Sequence, residues 1–156
     1  MAQDFELISI IMAAYNAEKT IEQAIESVLN QTYSNFELLV VNDCSEDQTV
    51  SLVRRIAEKD RRVRLISNKK NSGVSFTRKH GLKEATGKWI AILDSDDAWA
   101  PEKLEKQIAL QKKTNADLLF TGSAFMDSDG KPIDWYLHAP AEISYRKLLK
   151  QNVLSN

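Results

Sequence analysis

The sequence predicts an α/β domain built on a mostly parallel sheet. Short apolar runs of strand length recur along the chain, and the stretches between them switch to a helical period. Polar residues then gather where the apolar runs end, the edge at which sheets of this kind bind ligands. Composition agrees: 156 residues, 43% hydrophobic and 28% charged, describe an ordinary globular chain of about one domain, expected here over residues 1–156.

The elements follow in order. Leu7 to Ala13 is a β-branched run, long enough for a buried strand and too short for a helix. Ile21, Ala24, Ile25, Val28 and Leu29 then mark one face of a helix, with Asn16 as its expected N-cap. Phe36 to Val41 is the second strand. Ser45 and Gln48 have capping-box spacing ahead of a stripe made by Val50, Val53, Ile56 and Ala57. Val63 to Ile66 is the third strand, followed by a loop at Asn68 to Gly73. Val74, Thr77, Gly81, Leu82 and Ala85 line a third helix. Gly81 costs that helix ~1 kcal/mol unless it lets the backbone approach the sheet closely. Trp89 to Leu93 is the fourth strand, and Pro101 opens a fourth helix through Leu104 and Ile108. Ala116 to Phe120 reads as a fifth strand, Asp127 to Gly130 as a hairpin turn and Ser144 to Lys150 as a short helix.

Several classes fall away. No apolar run approaches the ~20 residues of a membrane-spanning helix, and the acidic N-terminus is not a secretory signal. A single cysteine, Cys44, makes no internal disulfide and favours a reducing, cytoplasmic setting. The net charge of −1 conceals an acid-rich start, at −8 over residues 1–53, and a basic middle, at +9 over residues 54–88. That block suits an anionic ligand or membrane surface, or simply a solvated face. Nucleic acid is excluded as a partner, since no aromatic-basic interleaving or reader motif accompanies it. Glycine fingerprints of dinucleotide sites and P-loops are missing, as is the G-x-S-x-G elbow. His80 and His138 are read as packed or solvated side chains.

The chemistry concentrates at the strand ends. Asp94 and Asp96, two apart on extended chain, present carboxylates to one side, and such hard oxygen ligands suit Mg²⁺ or Mn²⁺ shared with a substrate's phosphates. The alternative is that Asp94-Ser95-Asp96-Asp97 turns the chain and caps the next helix. Asp43, at its own strand end, is expected to stand free to accept a hydrogen bond from a base or ribose. Ala14-Tyr15-Asn16 supplies a tight turn and an aromatic face that suits a flat base, or equally a packed tyrosine. Arg78, Lys69 and Lys70 could screen a diphosphate.

Ile8 to Asn16, Ser27 to Thr32, Phe36 to Ser45, Asn71 to Arg78 with Gly81-Leu82, and Ala85 to Asp97 occur in an order that resembles family 2 glycosyltransferases of the GT-A fold. The resemblance spans about residues 6–113 in register. It implies a Rossmann-like three-layer α/β/α sandwich and inverting transfer of a sugar from a nucleotide diphosphate-sugar, often UDP-linked, to an acceptor hydroxyl on a glycan or lipid-linked chain. It further implies that Asp43 accepts from the base and that Ala14, Tyr15 and Glu18 line the base and ribose pocket. Asp94 would meet the ribose or a metal-bound water, with Ser95 beside it, Asp96 would ligate Mg²⁺ or Mn²⁺, and Arg78 would steady the nucleotide.

One departure goes with the match. Family members carry an acidic catalytic base in a later, acceptor-side segment, and beyond Asp117 only Asp127, Asp129 and Asp134 remain as aspartates. The expectation is therefore a donor-binding portion truncated before its acceptor part, with no catalytic base assigned. The competing reading is a non-catalytic nucleotide-binding or interaction module on the same fold. Peripheral membrane contact is compatible with polysaccharide assembly.

Overall fold

The computed structural model describes residues 6–127, 131–144, 146 and 150. Its contacts sort into two compact units, residues 1–108 and 109–156.

The first unit holds four strands, β1 (Ile8–Ala14), β2 (Phe36–Asn42), β3 (Val63–Ser67) and β4 (Trp89–Ile92), in the order β3-β2-β1-β4 and all parallel. Between them run α1 (Ile21–Leu29), α2 (Thr49–Ala57) and α3 (Val74–Glu84). β1 and β2 are central and read as near-continuous apolar runs because both of their faces are covered. Alternate side chains serve opposite layers. Ile10, Met12, Leu38 and Val40 join Ile21, Ala24, Ile25, Val28 and Val53 in one core, while α3 lies across Ile11 and Val41 on the other face. Each fully buried Ile, Leu or Val contributes about 1.5–3 kcal/mol. The sheet therefore has helices on both faces, as a three-layer sandwich requires.

Gly81 explains how α3 sits so close. A Cβ built there would lie 2.6 Å from Ile11 Cγ2 and 3.0 Å from Val41 Cγ2, so the missing side chain is what seats the helix. Gly87 acts similarly at the start of β4, where a Cβ would meet the Ser9 backbone nitrogen at 2.6 Å. Ser9 accepts from Gly87 N–H at 2.7 Å and donates to Glu37 at 2.6 Å, which ties this end of the sheet together.

Two helix starts differ from expectation. α1 begins at Ile21 after Thr20, while Asn16 takes a left-handed φ of 49° and accepts instead from Glu46 N–H at 2.9 Å. The Ser45/Gln48 capping box does not form either. Ser45 Oγ accepts from Asn16 N–H at 3.0 Å, and α2 is capped by Asp47 on Thr49 N–H at 2.9 Å and by Glu18 on Gln48 N–H at 3.0 Å. The loops after β1 and β2 thus cap each other, a long-range exchange that local spacing does not encode.

α4 (Lys103–Thr114) starts two residues after Pro101 and stops at Asn115, whose φ of 54° is a left-handed stop. In the second unit β5 (Ser123–Met126) and β6 (Pro132–Leu137) pair antiparallel, with Phe125 and Trp135 stacked at 4.8 Å. Lys131 N–H donates to Asp127 Oδ1 at 2.8 Å beside the expected hairpin turn, whose residues 128–130 lie outside the described ones. Ala116 to Phe120 forms no strand, and Leu118 is exposed. The run has strand propensity, but the ladder of this unit is filled by β5 and β6. Most of the short helix expected at 144–150 lies outside the described residues.

Candidate functional site

Because all four strands of the first unit run the same way, their carboxyl ends meet at one edge. Asp43 N–H donates to Ala14 O at 2.9 Å, Asn68 N–H to Asn42 O at 2.9 Å, and Leu93 N–H to Ile11 O at 3.1 Å. These bonds bring the residues following β1, β2, β3 and β4 into one row. Ala14, Tyr15, Asp43 and Asp94 to Asp97 follow strands that are neighbours in the sheet.

Tyr15 is 51% exposed and presents its ring at this edge. Two non-glycine residues beside it are left-handed, Asn16 and Cys44, the latter at φ 63°. Such backbone is uncommon and here turns the chain sharply out of both central strands. Cys44 is a free thiol and donates to Asn68 O at 3.3 Å. Glu18, expected to line a ribose pocket, spends its carboxylate on Gln48 N–H, so its demonstrated task is to lock two loops.

Asp43 corrects an expectation. It is 4% exposed and is not left open. Its carboxylate accepts from Asn68 Nδ2 at 2.7 Å, from Ser72 N–H at 3.0 Å and from Gly73 N–H at 2.8 Å. Burial pushes its pKa up, but bonds from Asn68, Ser72, Gly73 and Thr77 outweigh that and hold it below the ordinary aspartate value. The carboxylate therefore folds the 68–73 loop and the start of α3 against the end of β2. Asn68 is a buried polar residue that sequence reasoning missed; its only outward sign was a place in a polar loop.

Arg78 reaches from α3 to the end of β4, where its Nη2 pairs with Asp94 Oδ1. Its Nε is buried and has no partner in the protein among the described residues. Asp94 is therefore held by a cation of the chain, and Asp96, exposed in the turn closed by Asp97 N–H on Asp94 O at 3.1 Å, is the carboxylate better placed for a metal. Asp97 has its pKa raised by burial and by the charges of Asp96 and Asp94. The three carboxylates thus create a negative field that a divalent cation would relieve, and hard oxygen donors fit Mg²⁺ or Mn²⁺. Among the described residues no three His, Cys, Asp or Glu side chains form a cation-binding group by themselves. The remaining ligands would have to come from a substrate and water. Ser95 sits half-buried in the same turn.

The loop after this turn is anchored from behind. Gln31 Nε2 donates to Ala100 O at 2.7 Å, Gln31 Oε1 accepts from Leu104 N–H at 3.0 Å, and Ser27 Oγ accepts from Trp99 N–H at 3.1 Å. Gln31 thus caps α4 from the end of α1. Lys69 and Lys70 line a groove of about 490 Å³ along α3 together with Phe76, Lys79, His80 and Lys83.

A parallel sheet with helices on both faces, with polar residues gathered at its carboxyl edge, is an arrangement shared with nucleotide-sugar transferases of the GT-A fold. The chain belongs to glycosyl transferase family 2, whose model matches residues 9–155. It is 43% identical over 147 residues to the UDP-Glc:alpha-D-GlcNAc-diphosphoundecaprenol beta-1,3-glucosyltransferase WfgD of Escherichia coli, covering 94% of this chain and 56% of that protein. To WfaP of the same organism, described as the same activity, it is 38% identical, covering 93% and 56%. The chain thus spans little more than half the length of these relatives. Among solved structures, residues 1–349 of Staphylococcus aureus TarS in complex with UDP-GlcNAc superpose with a TM-score of 0.69 at 32% identity, covering 73% of this chain and 33% of that one. The mannosyltransferase PcManGT of Pyrobaculum calidifontis, in complex with GDP-Man and Mn²⁺, gives 0.64 at 27% identity, covering 78% and 37%.

Proposed function

We propose that residues 1–156 form a single GT-A nucleotide-sugar-binding domain of an inverting glycosyltransferase. It takes a sugar from a UDP-linked donor and passes it to an acceptor hydroxyl on a glycan or lipid-linked chain during polysaccharide synthesis. The observation that carries this reading is the row at the carboxyl edge: Tyr15 exposed, the Asp43-held loop, the Arg78–Asp94 pair and Asp96. In a single displacement the acceptor hydroxyl attacks the anomeric carbon opposite the leaving diphosphate, its proton passing to a base not assigned among these residues, and the sugar inverts. The work of this chain is on the leaving side. Tyr15 stacks on the base beside Ala14, and Asp43 sets the wall of the pocket. Asp94 and Ser95 meet the ribose and diphosphate region, and Arg78 faces the developing negative charge. A bound Mn²⁺ or Mg²⁺, held by Asp96 with Asp94 alongside on a metal-bound water or the ribose, would supply Lewis-acid neutralisation of the departing diphosphate.

The outer face of α3 supports a peripheral membrane contact. Val74, Phe76 and Leu82 of α3 are each just over half exposed, and Phe76 lines the groove with Lys79 and Lys83. Exposed apolar side chains among lysines suit the surface of an anionic bilayer. No helix of the described residues is long and apolar enough to cross one. The lone cysteine, a free thiol, fits a place on the cytoplasmic side.

Calorimetric titration of UDP in the presence of Mn²⁺ tests the site. The native chain should bind, and Asp96→Ala should lose at least tenfold in affinity. Equal binding by both would remove Asp96 from the metal site.

A further inference from the structure

His80 lies on α3, on the side away from the Arg78–Asp94 pair, and its sequence context gives it no role. Its Nδ1 lies 2.7 Å from Asn68 Oδ1. The chemistry of the neighbours fixes which atom donates. Asp43 is an acceptor, so the Asn68 amide must turn its NH₂ toward it, where Nδ2 bonds Asp43 Oδ1 at 2.7 Å and Thr77 Oγ1 at 2.9 Å. Asn68 Oδ1 is then left facing His80, and an amide oxygen only accepts. The His80 Nδ1 must carry the proton. A directed chain results, from His80 to Asn68 to Asp43, and Asp43 in turn receives the Ser72 and Gly73 N–H groups.

Removing the imidazole donor would leave a buried amide oxygen unpaired. The amide could then recover a partner only by turning, which would set its oxygen against the Asp43 carboxylate. Asn68 is 8% exposed and Asp43 is 4% exposed, so both polar groups depend mainly on protein partners. The loop that these residues hold begins where β3 ends and delivers Gly73, at φ 82°, to the start of α3.

We propose that His80 is a positioning residue for the nucleotide site: through Asn68 it fixes the donors around Asp43 and so the placement of the Ser72–Gly73 loop. This rests on the reading of Asp43 as part of the nucleotide pocket. His80 touches neither substrate nor reacting atoms; it acts through another side chain.

The test compares native chain, His80→Leu and His80→Asn, whose amide nitrogen can stand where Nδ1 stands. Two readouts are taken: backbone amide resonances of Ser72 and Gly73 without ligand, and UDP affinity with Mn²⁺. The expected result is that His80→Leu shifts both resonances and weakens UDP about 5- to 30-fold with its melting cooperativity retained. His80→Asn should return both readouts toward native values. Unmoved Ser72 and Gly73 resonances in His80→Leu would overturn the positioning role, whatever UDP does. So would a His80→Asn variant no better than His80→Leu. If the native chain itself fails to bind UDP while the resonances move as expected, the positioning of the loop stands and the nucleotide reading of Asp43 is what fails.

Discussion

The Arg78 guanidinium on α3 is paired with the Asp94 carboxylate at the end of β4. Both side chains are partly buried, at 28% exposure each, so solvent screens the pair less than it would on an open surface. It also divides the labour of the aspartate cluster. Asp94 is held by the protein's own cation, whereas Asp96 faces outward.

Replacing Arg78 therefore has two opposite effects. In Arg78→Ala, Asp94 loses its cation, and stability should fall by about 1–3 kcal/mol. Mn²⁺ alone should bind more tightly, because the Arg78 cation no longer offsets the negative charge beside Asp96, while UDP with Mn²⁺ should bind about tenfold more weakly. Calorimetry of metal alone and of the metal–nucleotide pair checks both signs. Loss of both affinities together would mean that the pair is only structural.

Asp43 makes the low-pH behaviour predictable. Its folded pKa lies below its unfolded value, so the carboxylate stabilises the fold above the unfolded pKa of about 3.9, and that stabilisation is lost as pH falls through the folded pKa. Native chain and Asp43→Asn should differ by about 1–3 kcal/mol near pH 7. Urea unfolding at stepped pH should show the gap closing below about pH 4. A gap independent of pH would mean that the charge of Asp43 is not what holds the Ser72–Gly73 loop.

Gly81→Ala separates helix propensity from packing. On an isolated helix the change stabilises by about 1 kcal/mol. Here the new methyl would meet Ile11 and Val41, and crowding of that kind costs about 1–3 kcal/mol. A lower midpoint in thermal unfolding is expected. A raised midpoint would contradict the close seat of α3 on the sheet.

These residues also show what could be read from the chain alone. The first four strands and the three helices between them were legible because apolar period reports burial directly, and Gly81 announced itself by breaking a helical stripe without ending the helix. The aspartates were legible because they stand where a strand stops. The caps were not: Asn16, Ser45 and Glu18 each serve a loop about thirty residues away, and local spacing carries no such information. Asn68 and His80 were hidden for the same reason, since their worth lies in a network joining three elements. Ala116 to Phe120 misled because apolar strand propensity needs a partner ladder, and Leu118 lies exposed without one.

The α3 surface gives a separate expectation. The chain should sediment with vesicles rich in phosphatidylglycerol and not with phosphatidylcholine vesicles, and binding should fall steeply with salt. A Lys79→Glu, Lys83→Glu double variant should lose it, while UDP affinity stays within twofold. Binding that survives charge reversal would place the membrane contact elsewhere.

Nucleotide and metal are proposed to meet at the carboxyl edge of β1, β2 and β4. Paramagnetic Mn²⁺ added with UDP to isotope-labelled protein tests it by location, since amide signals near the ion broaden. Broadening centred on Asp94 to Asp97 and extending to Ala14 and Tyr15 is expected, and it should be abolished in Asp96→Ala. Broadening centred elsewhere, or unchanged by that substitution, would contradict the proposal.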